Sequence, residues 1–228
     1  MAVKIKKRTI TVTLKPKTKI YNEYKAEEFL KKYLPITQHL LTKNLDEGLK
    51  FCSQYKYPIA LKVISDQALH KTEIKGVRVA YSDEDVKREY DSLMKLSKKL
   101  KLKLDGILFQ KYRIGREIII GGKKDKVFGQ TILFGSGGIY TEFIKDVSIR
   151  ICPITEKDAL EMIDETHASQ MLGKFRGDDP VDKKLLVNAL MKLNKILLEN
   201  PDILELDINP LIINKDGIFV VDARMLLE

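Results

Sequence analysis

The sequence predicts an α+β protein built as two lobes. Three observations carry this. A nearly continuous apolar strand over 58–64 stands between stretches of helical periodicity. From 107 to 151 the chain turns into short β-like runs separated by turn residues. A long amphipathic helix then leads into a hairpin at the tail. The lobes are expected over 21–110 and 111–228, meeting near Gln110-Lys111-Tyr112, with an N-terminal arm over 1–20.

Taken in order, Thr9-Ile10-Thr11-Val12-Thr13-Leu14 alternates like a short strand or arm, and a basic linker follows it. Helical periodicity covers about 23–32 and is stopped by Pro35. Asn44 with Glu47 three residues on has the form of a capping box, and Leu45, Leu49 and Cys52 make the apolar stripe behind it. Ser82 with Asp85 opens a helix whose stripe is Val86, Tyr90, Leu93, Leu96 and Leu100. The β-like runs are 107–110, 117–120, 129–134, 140–144 and 147–151. Gly121-Gly122 ahead of Lys123-Lys124-Asp125-Lys126 reads as an exposed turn. Thr155 with Asp158 caps another helix. Asp179-Pro180 begins the last one, with proline at the tolerated first position, Leu186, Leu190, Leu193 and Leu197 inside, and Asn200-Pro201 as its end.

Bulk composition narrows the function classes. With 228 residues, 44% apolar and 32% charged, the chain can bury an ample core and has the make-up of a folded soluble protein. No apolar run approaches a membrane span, and the basic N-terminus has no apolar h-region of a secretory signal. Two cysteines, Cys52 and Cys152, argue against a disulfide framework or zinc site, so a reducing cytoplasm is expected. The net charge of +9 invites a nucleic-acid-binding module as one reading. Against it, lysines alternate with acids along helices, tryptophan is absent, and no aromatic-rich basic strand offers stacking platforms. A dense surface of mixed charge is also what heat-adapted proteins carry.

The tail concentrates candidate chemistry. Asn214-Lys215-Asp216-Gly217 joins two apolar segments as a tight turn. If Asn214 faces Gly217, then Asn209 faces Asp222. A two-residue slip would leave both on the same face. That face presents Asp207, Asn209, Asp222 and Arg224, and the other presents Ile208, Ile212, Val221 and Ala223. Two carboxylates and an amide oxygen on rigid strands suit Mg²⁺, a hard cation that also bridges to phosphates. A merely solvated sheet face fits the same alternation. Lys62 inside an apolar strand must reach a partner or cleft, either a nucleotide phosphate or solvent at the strand end. Gly135-Ser136-Gly137-Gly138 permits close approach to an anion, or forms a plain hairpin turn. His39 and His167 read as structural or surface residues without nearby partners. His70, in a polar loop directly after the Lys62 strand and beside Lys71, is either an exposed loop residue or a nucleophile toward a phosphoryl group.

The order of these pieces carries further. The chain runs strand-lysine, His70 loop, Phe109-Gln110-Lys111-Tyr112, Gly115-Arg116-Glu117, Asp207-Ile208-Asn209-Pro210-Leu211, and Val221-Asp222-Ala223-Arg224. This resembles the ATP-grasp fold, and in particular the β subunit of ADP-forming acetyl-CoA (acyl-CoA) synthetases, from about Tyr21 to the C-terminus. Its sharpest stretches are Ala60-Leu61-Lys62-Val63 with Leu69-His70-Lys71, Phe134-Gly135-Ser136-Gly137-Gly138-Ile139, and the two tail segments. The resemblance implies a nucleotide, ATP or ADP, held between two α+β lobes. It further implies that Lys62 contacts the α/β-phosphates, that Gln110, Lys111 and Tyr112 bind adenine by backbone and edge contacts, and that Glu117 binds a ribose hydroxyl. Asn209 and Asp222 would be the Mg²⁺ ligands. Asp207 stands where the related succinyl-CoA synthetases carry a glutamate that steadies a phosphohistidine. His70 would take the phosphoryl group from the α-subunit histidine and carry it to ADP. Gly173, Arg176 and Gly177 also match a family segment. A separate CoA-binding α subunit, in an α2β2 heterotetramer, and a cytoplasmic setting are implied as well. A free-standing ATP-grasp ligase joining a carboxylate to an amine is the alternative within the same fold.

Overall fold

A strand that is apolar at nearly every position needs cover on both faces, and β3 (Ile59–Ile64) is buried at each of its positions. The computed structural model describes residues 18–67, 74–137, 146–173 and 180–228. His70, Gly138, Arg176, Gly177 and the strands expected over 9–14 and 140–144 lie outside them. Among the described residues β3 sits inside an antiparallel four-stranded sheet of order β2-β5-β3-β4, with β2 at His39–Thr42, β4 at Val77–Ala80 and β5 at Gly106–Lys111. Helices α2 (Leu45–Tyr55) and α3 (Asp83–Lys99) cover one face, where Ile59, Leu61, Val63, Ile107 and Phe109 share a core. Both helices start where local chemistry predicts. The Asn44 side chain accepts from the Asp46 and Glu47 N–H groups, and the Ser82 side chain from that of Asp85.

The stripes differ from the expected ones at two points. In α2, Gly48 and Phe51 are buried with Cys52, while Leu45 and Leu49 are only partly covered. The cause is the close crossing of α2 over Phe109: a Cβ on Gly48 would lie 2.2 Å from the ring. In α3, Leu100 is 42% exposed because the helix ends at Lys99 and Leu100 is its C-cap.

The second sheet runs β1-β11-β9-β6-β7-β8, with β10 paired to β9. Its strands are β1 (Lys19–Tyr21), β6 (Arg116–Asp125), β7 (Gly129–Ser136), β8 (Val147–Ile151), β9 (Ile203–Asn214), β10 (Gly217–Val220) and β11 (Ala223–Leu227). Strand β1 pairs with β11, so the chain on either side of position 21 lies with this sheet rather than with the first. Helices α1 (Glu23–Leu30), α4 (Glu156–Asp164), α5 (Ala168–Leu172) and α6 (Lys183–Glu199) contribute to one core with Ile118, Ile120, Ile132 and Phe134. Thr155 and Asp158 form a reciprocal capping box on α4. The last helix starts later than Asp179-Pro180 predicts: its cap is Asp182, whose carboxylate accepts from the Lys184 N–H, and Val181 is still tied to the Leu172 carbonyl. Leu186, Leu190, Leu193 and Leu197 are fully buried on it. Gly121-Gly122 is not a turn. Both lie within β6, where a Cβ on Gly122 would sit 2.4 Å from Leu197, and the turn falls after Asp125, which accepts from the Val127 and Phe128 N–H groups.

The tail adopts the first of the two registers. Asn214 faces Gly217, and Asn209 N–H donates to the Asp222 carbonyl over 3.1 Å. The alternation nevertheless slips at Asn209-Pro210. Ile118 faces Leu211 and Ile120 faces Ile208, so two residues of β9 stand opposite Ile119 alone, as in a β-bulge. Past it, Leu211 and Ile213 join Ile208 in the main core, and Ile212, expected beside Ile208, turns to the opposite face.

A polar seam joins the sheets. On α1, whose Ala26 and Leu30 are buried in the large core, the Asn22 cap donates to Asp66 over 2.7 Å and Asp105 over 2.9 Å, and Lys25 pairs with Asp66 at 3.1 Å. His39, expected to lack partners, sits in β2 with Nε2 2.9 Å from Glu28. Its Nδ1 lies 2.8 Å from Glu27, within ion-pair range but off the line of a good hydrogen bond. Burial pulls its pKa down, and the two carboxylates outweigh that, holding it above the ordinary 6.5. Among the described residues no helix is long and apolar enough to cross a membrane.

Two stability measurements test this packing. Gly48→Ala, with Phe109 fully buried and unable to swing away, should cost about 1–3 kcal/mol in denaturant unfolding. The His39 contribution is complete below the unfolded-state pKa and declines as pH rises through the raised folded value. Unfolding measured from pH 5.5 to 8.5 should therefore show stability falling with pH in the wild type, with a shallower slope in His39→Gln.

Candidate functional site

The face of the small sheet turned away from α2 and α3 presents Ala60, Lys62 and Ile64 from β3 and Gln110 from β5, all buried. Lys62 is 7% exposed. Its Nζ donates to Glu23 Oε1 over 2.6 Å and to the Val221 carbonyl over 2.5 Å. Val221 belongs to the short link between β10 and β11 and precedes Asp222. The strand lysine of one sheet thus reaches the chain segment that carries an expected metal ligand of the other.

On the large sheet, Glu117, Ile119, Gly121 and Lys123 alternate along the face of β6 opposite the helices. Gly121 faces Asp207, and Asp207 faces Arg224. A concavity of about 260 Å³ is lined by Ile119, Gly121, Leu133, Ile149, Glu205 and Asp207. Lys62 is not part of its lining. Burial, followed by the negative charges of Asp222 and Glu205, pushes the Asp207 carboxyl up to about 6, against the opposing pull of Arg224. Asp207 and Asp222 are therefore close enough to repel one another, and a cation at this corner relieves that repulsion. Asn209 on β9 and Asp222 in the link between β10 and β11, both half-buried, offer the hard oxygen donors that suit Mg²⁺, which takes one or two protein ligands and fills the rest with phosphate and water. Glu117 is exposed at the other end of this face, four residues or about 13 Å along the strand from the Gly121–Asp207 rung.

The hinge is arranged differently from a set of free donors. Gln110 is 2% exposed, and its amide nitrogen bonds both oxygens of Glu27 at 3.1 Å. The Lys111 N–H donates to the Gln38 carbonyl and the Tyr112 N–H to that of Pro58. The Lys111 ammonium caps the end of α2 through the Lys56 and Tyr57 carbonyls, each at 3.0 Å, and burial, then Arg113, lowers its pKa. The Lys111 carbonyl accepts from Thr37 Oγ1 and has a second lone pair. The Tyr112 ring is 40% exposed. Arg113 bonds Thr37 and Gln38 and lies 4.0 Å over the Phe219 ring, stapling the hinge to β10.

Gly135 and Ser136 are strand residues of β7, not a turn. Ser136 Oγ donates to Asp146 over 2.6 Å, and Asp146 also accepts from the His167 backbone N–H at 3.0 Å. Burial raises the Asp146 carboxyl, but these bonds outweigh it and hold the group low. Gly137 donates to the Glu117 carbonyl, and a Cβ there would meet the β6 backbone at 2.7 Å. Gly173 supplies a carbonyl to buried Arg116 at 2.8 Å. Of the expected site residues, Lys62, Asn209, Asp222 and Asp207 converge at the seam and its adjoining face, Gln110, Lys111 and Tyr112 form the hinge, and Glu117 stands at the far end. His70 is outside the described residues. The contributions of Glu23, Glu27 and Arg113 were not visible in the sequence. The one trace of the first two is their four-residue spacing beside the Ala26–Leu30 stripe.

The chain matches the ATP-grasp domain family over residues 13–227. It is 37% identical over 227 residues to the acetate–CoA ligase [ADP-forming] I subunit beta of Pyrococcus furiosus, covering 97% of this chain and 98% of that one. Among solved structures, acetyl-coenzyme A synthetase 1 of Ca. Korarchaeum cryptofilum in complex with coenzyme A, Ca-AMPCP and HgCl⁺ superposes with a TM-score of 0.87 at 38% identity, covering 92% of this chain and 94% of that chain. The same protein with coenzyme A and Mg-AMPPCP, its phosphohistidine segment pointing towards the nucleotide binding site, gives 0.77 at 36% identity, with 90% and 92% covered. The chain therefore belongs to the ATP-grasp family, among the β subunits of ADP-forming acetate–CoA ligases.

Proposed function

We propose that this chain is the nucleotide-handling subunit of an ADP-forming acetyl-CoA or acyl-CoA synthetase, acting in the cytoplasm with a CoA-binding α subunit, two copies of each. The overall reaction is acyl-CoA, phosphate and ADP giving acid, CoA and ATP. The observation that carries the reading is the seam contact: the Lys62 ammonium bonds the carbonyl that precedes Asp222. A phosphate-binding cation and a metal-binding carboxylate are adjacent there although they come from different sheets.

In this reading ADP lies between the sheets. Its base rests at the hinge, with the adenine amino group donating to the Lys111 carbonyl. Glu117 accepts from a ribose hydroxyl, and Lys62 donates to the phosphates. Mg²⁺, held by Asn209 and Asp222, would neutralise charge on the phosphates during transfer. Phosphate first displaces CoA from the acyl carbonyl, breaking the C–S bond and forming an acyl phosphate. A histidine of the partner takes the phosphoryl group, releasing the carboxylate. Asp207 accepts a hydrogen bond from that imidazole and steadies it. Neutral His70 then takes the phosphoryl group and passes it to the terminal oxygen of ADP. Two carriers are needed where the acyl and nucleotide sites are too far apart for in-line transfer.

Two outcomes are expected. Lys62→Met should weaken Mg-ADP binding, measured by calorimetry, by about 10- to 100-fold, the value of a charge-assisted hydrogen bond of about 1.5–3 kcal/mol; unchanged affinity would remove Lys62 from the site. Mixed with a CoA-binding partner, acyl-CoA and labelled phosphate, the wild type should acquire an acid-labile phosphate. His70→Ala should lose that label along with ATP formation. Full ATP formation by His70→Ala would rule out the carrier role.

A further inference from the structure

Glu23 and Glu27 stand one turn apart on α1 and point the same way. Both are buried, at 3% and 0% exposure, on a helix whose other side is sealed into the large core. Each takes a polar side chain from the small sheet: Glu23 binds Lys62, and Glu27 binds Gln110. An ammonium has three N–H bonds. Among the described residues, Lys62 gives one to the Glu23 carboxylate and one to the Val221 carbonyl, so one remains for a ligand. A buried ammonium lacking a counter-charge loses its proton or withdraws from its site. In the nucleotide-free protein that counter-charge is Glu23.

We propose that Glu23 is a positioning residue for the nucleotide: it holds the Lys62 ammonium in place at the seam, with its remaining N–H available to phosphate. This rests on the reading of Lys62 as the phosphate contact. The carboxylate belongs to α1, packed on the large sheet whose β9 bears Asn209 and whose β10–β11 link bears Asp222, while the ammonium belongs to the small sheet. The pair therefore also sets the spacing between the two halves of the phosphate site. A neutral amide at position 23 could still bond the ammonium but would leave its charge uncompensated.

Calorimetry with Mg-ADP on the full chain tests this in a double-mutant cycle of wild type, Glu23→Gln, Lys62→Met and the double variant, with melting curves to establish folding. Glu23→Gln should bind about tenfold more weakly, as expected for roughly 1.4 kcal/mol. Glu23→Asp should recover part of the loss, and Glu23→Gln should have no further effect once Lys62 is methionine. Wild-type affinity in Glu23→Gln overturns the proposal, as does an equal loss in both backgrounds, since either means Glu23 does not act through Lys62. Lys62→Met binding as well as wild type would overturn the assignment of Lys62 itself, and the proposal with it. If Glu23→Gln does not fold, Glu23→Asp takes its place in the cycle. A loss of affinity confined to the Lys62 background then supports the proposal, and unchanged affinity overturns it.

Discussion

A buried ammonium has to be neutralised, and the way this chain neutralises Lys62 governs how its two sheets meet. The carboxylate comes from α1, a helix packed into the large core, and the second oxygen comes from the link between β10 and β11 of the same sheet. Removing one partner of such a pair leaves an uncompensated charge, which typically costs about 3–5 kcal/mol. The seam is reinforced along the helix. Asn22 and Lys25 hold Asp66 and Asp105 at one end, and Glu27 and Glu28 hold Gln110 and His39 at the other. One helix face thus sets both the candidate phosphate contact and the start of the candidate adenine hinge.

The large sheet divides its work between faces. Helices seal one side, and the other carries Glu117, Asp207 and Arg224, with Asp207 lining a concavity there. The division is maintained by a local irregularity. The extra residue at Asn209-Pro210 reverses the alternation, so that Leu206 and Ile208 before it and Leu211 and Ile213 after it all face the helices. It also places Asn209 at the kink beside Asp222. Bulges commonly re-aim a side chain next to a site, and here the re-aimed residue is a metal-ligand candidate. Glycines allow the close approaches: Gly122 under Leu197 and Gly137 against the backbone of β6.

Much of the fold was legible because its signals are local. Asn44, Ser82 and Thr155 start helices through bonds to N–H groups two or three residues away. Asn214 and Gly217 define the tail register through a turn of four residues. The misreadings came where a distant element decided. Gly121-Gly122 looks like a turn until Leu197 is brought against it. Asp179-Pro180 looks like a helix start, yet Val181 is held by Leu172 and the helix waits for Asp182. Ile212 obeys strict alternation on paper and breaks it at a bulge that only the pairing with β6 reveals.

The same distinction runs through the site. By itself the sequence determined the class of fold, the caps at Asn44, Ser82 and Thr155 and the turn of the tail hairpin, and it named the candidates for phosphate and metal, because periodicity, capping and turn chemistry act over a few residues. Only the tertiary structure decided that Lys62 is held by Glu23 and Val221, that Gln110 and His39 share Glu27, and that the hinge N–H groups of Lys111 and Tyr112 are already engaged. These contacts join residues 39 to 159 positions apart, except for the short step from Glu27 to His39. Nothing in a local pattern encodes which buried carboxylate will meet which buried cation. That choice follows from how two sheets pack against one helix.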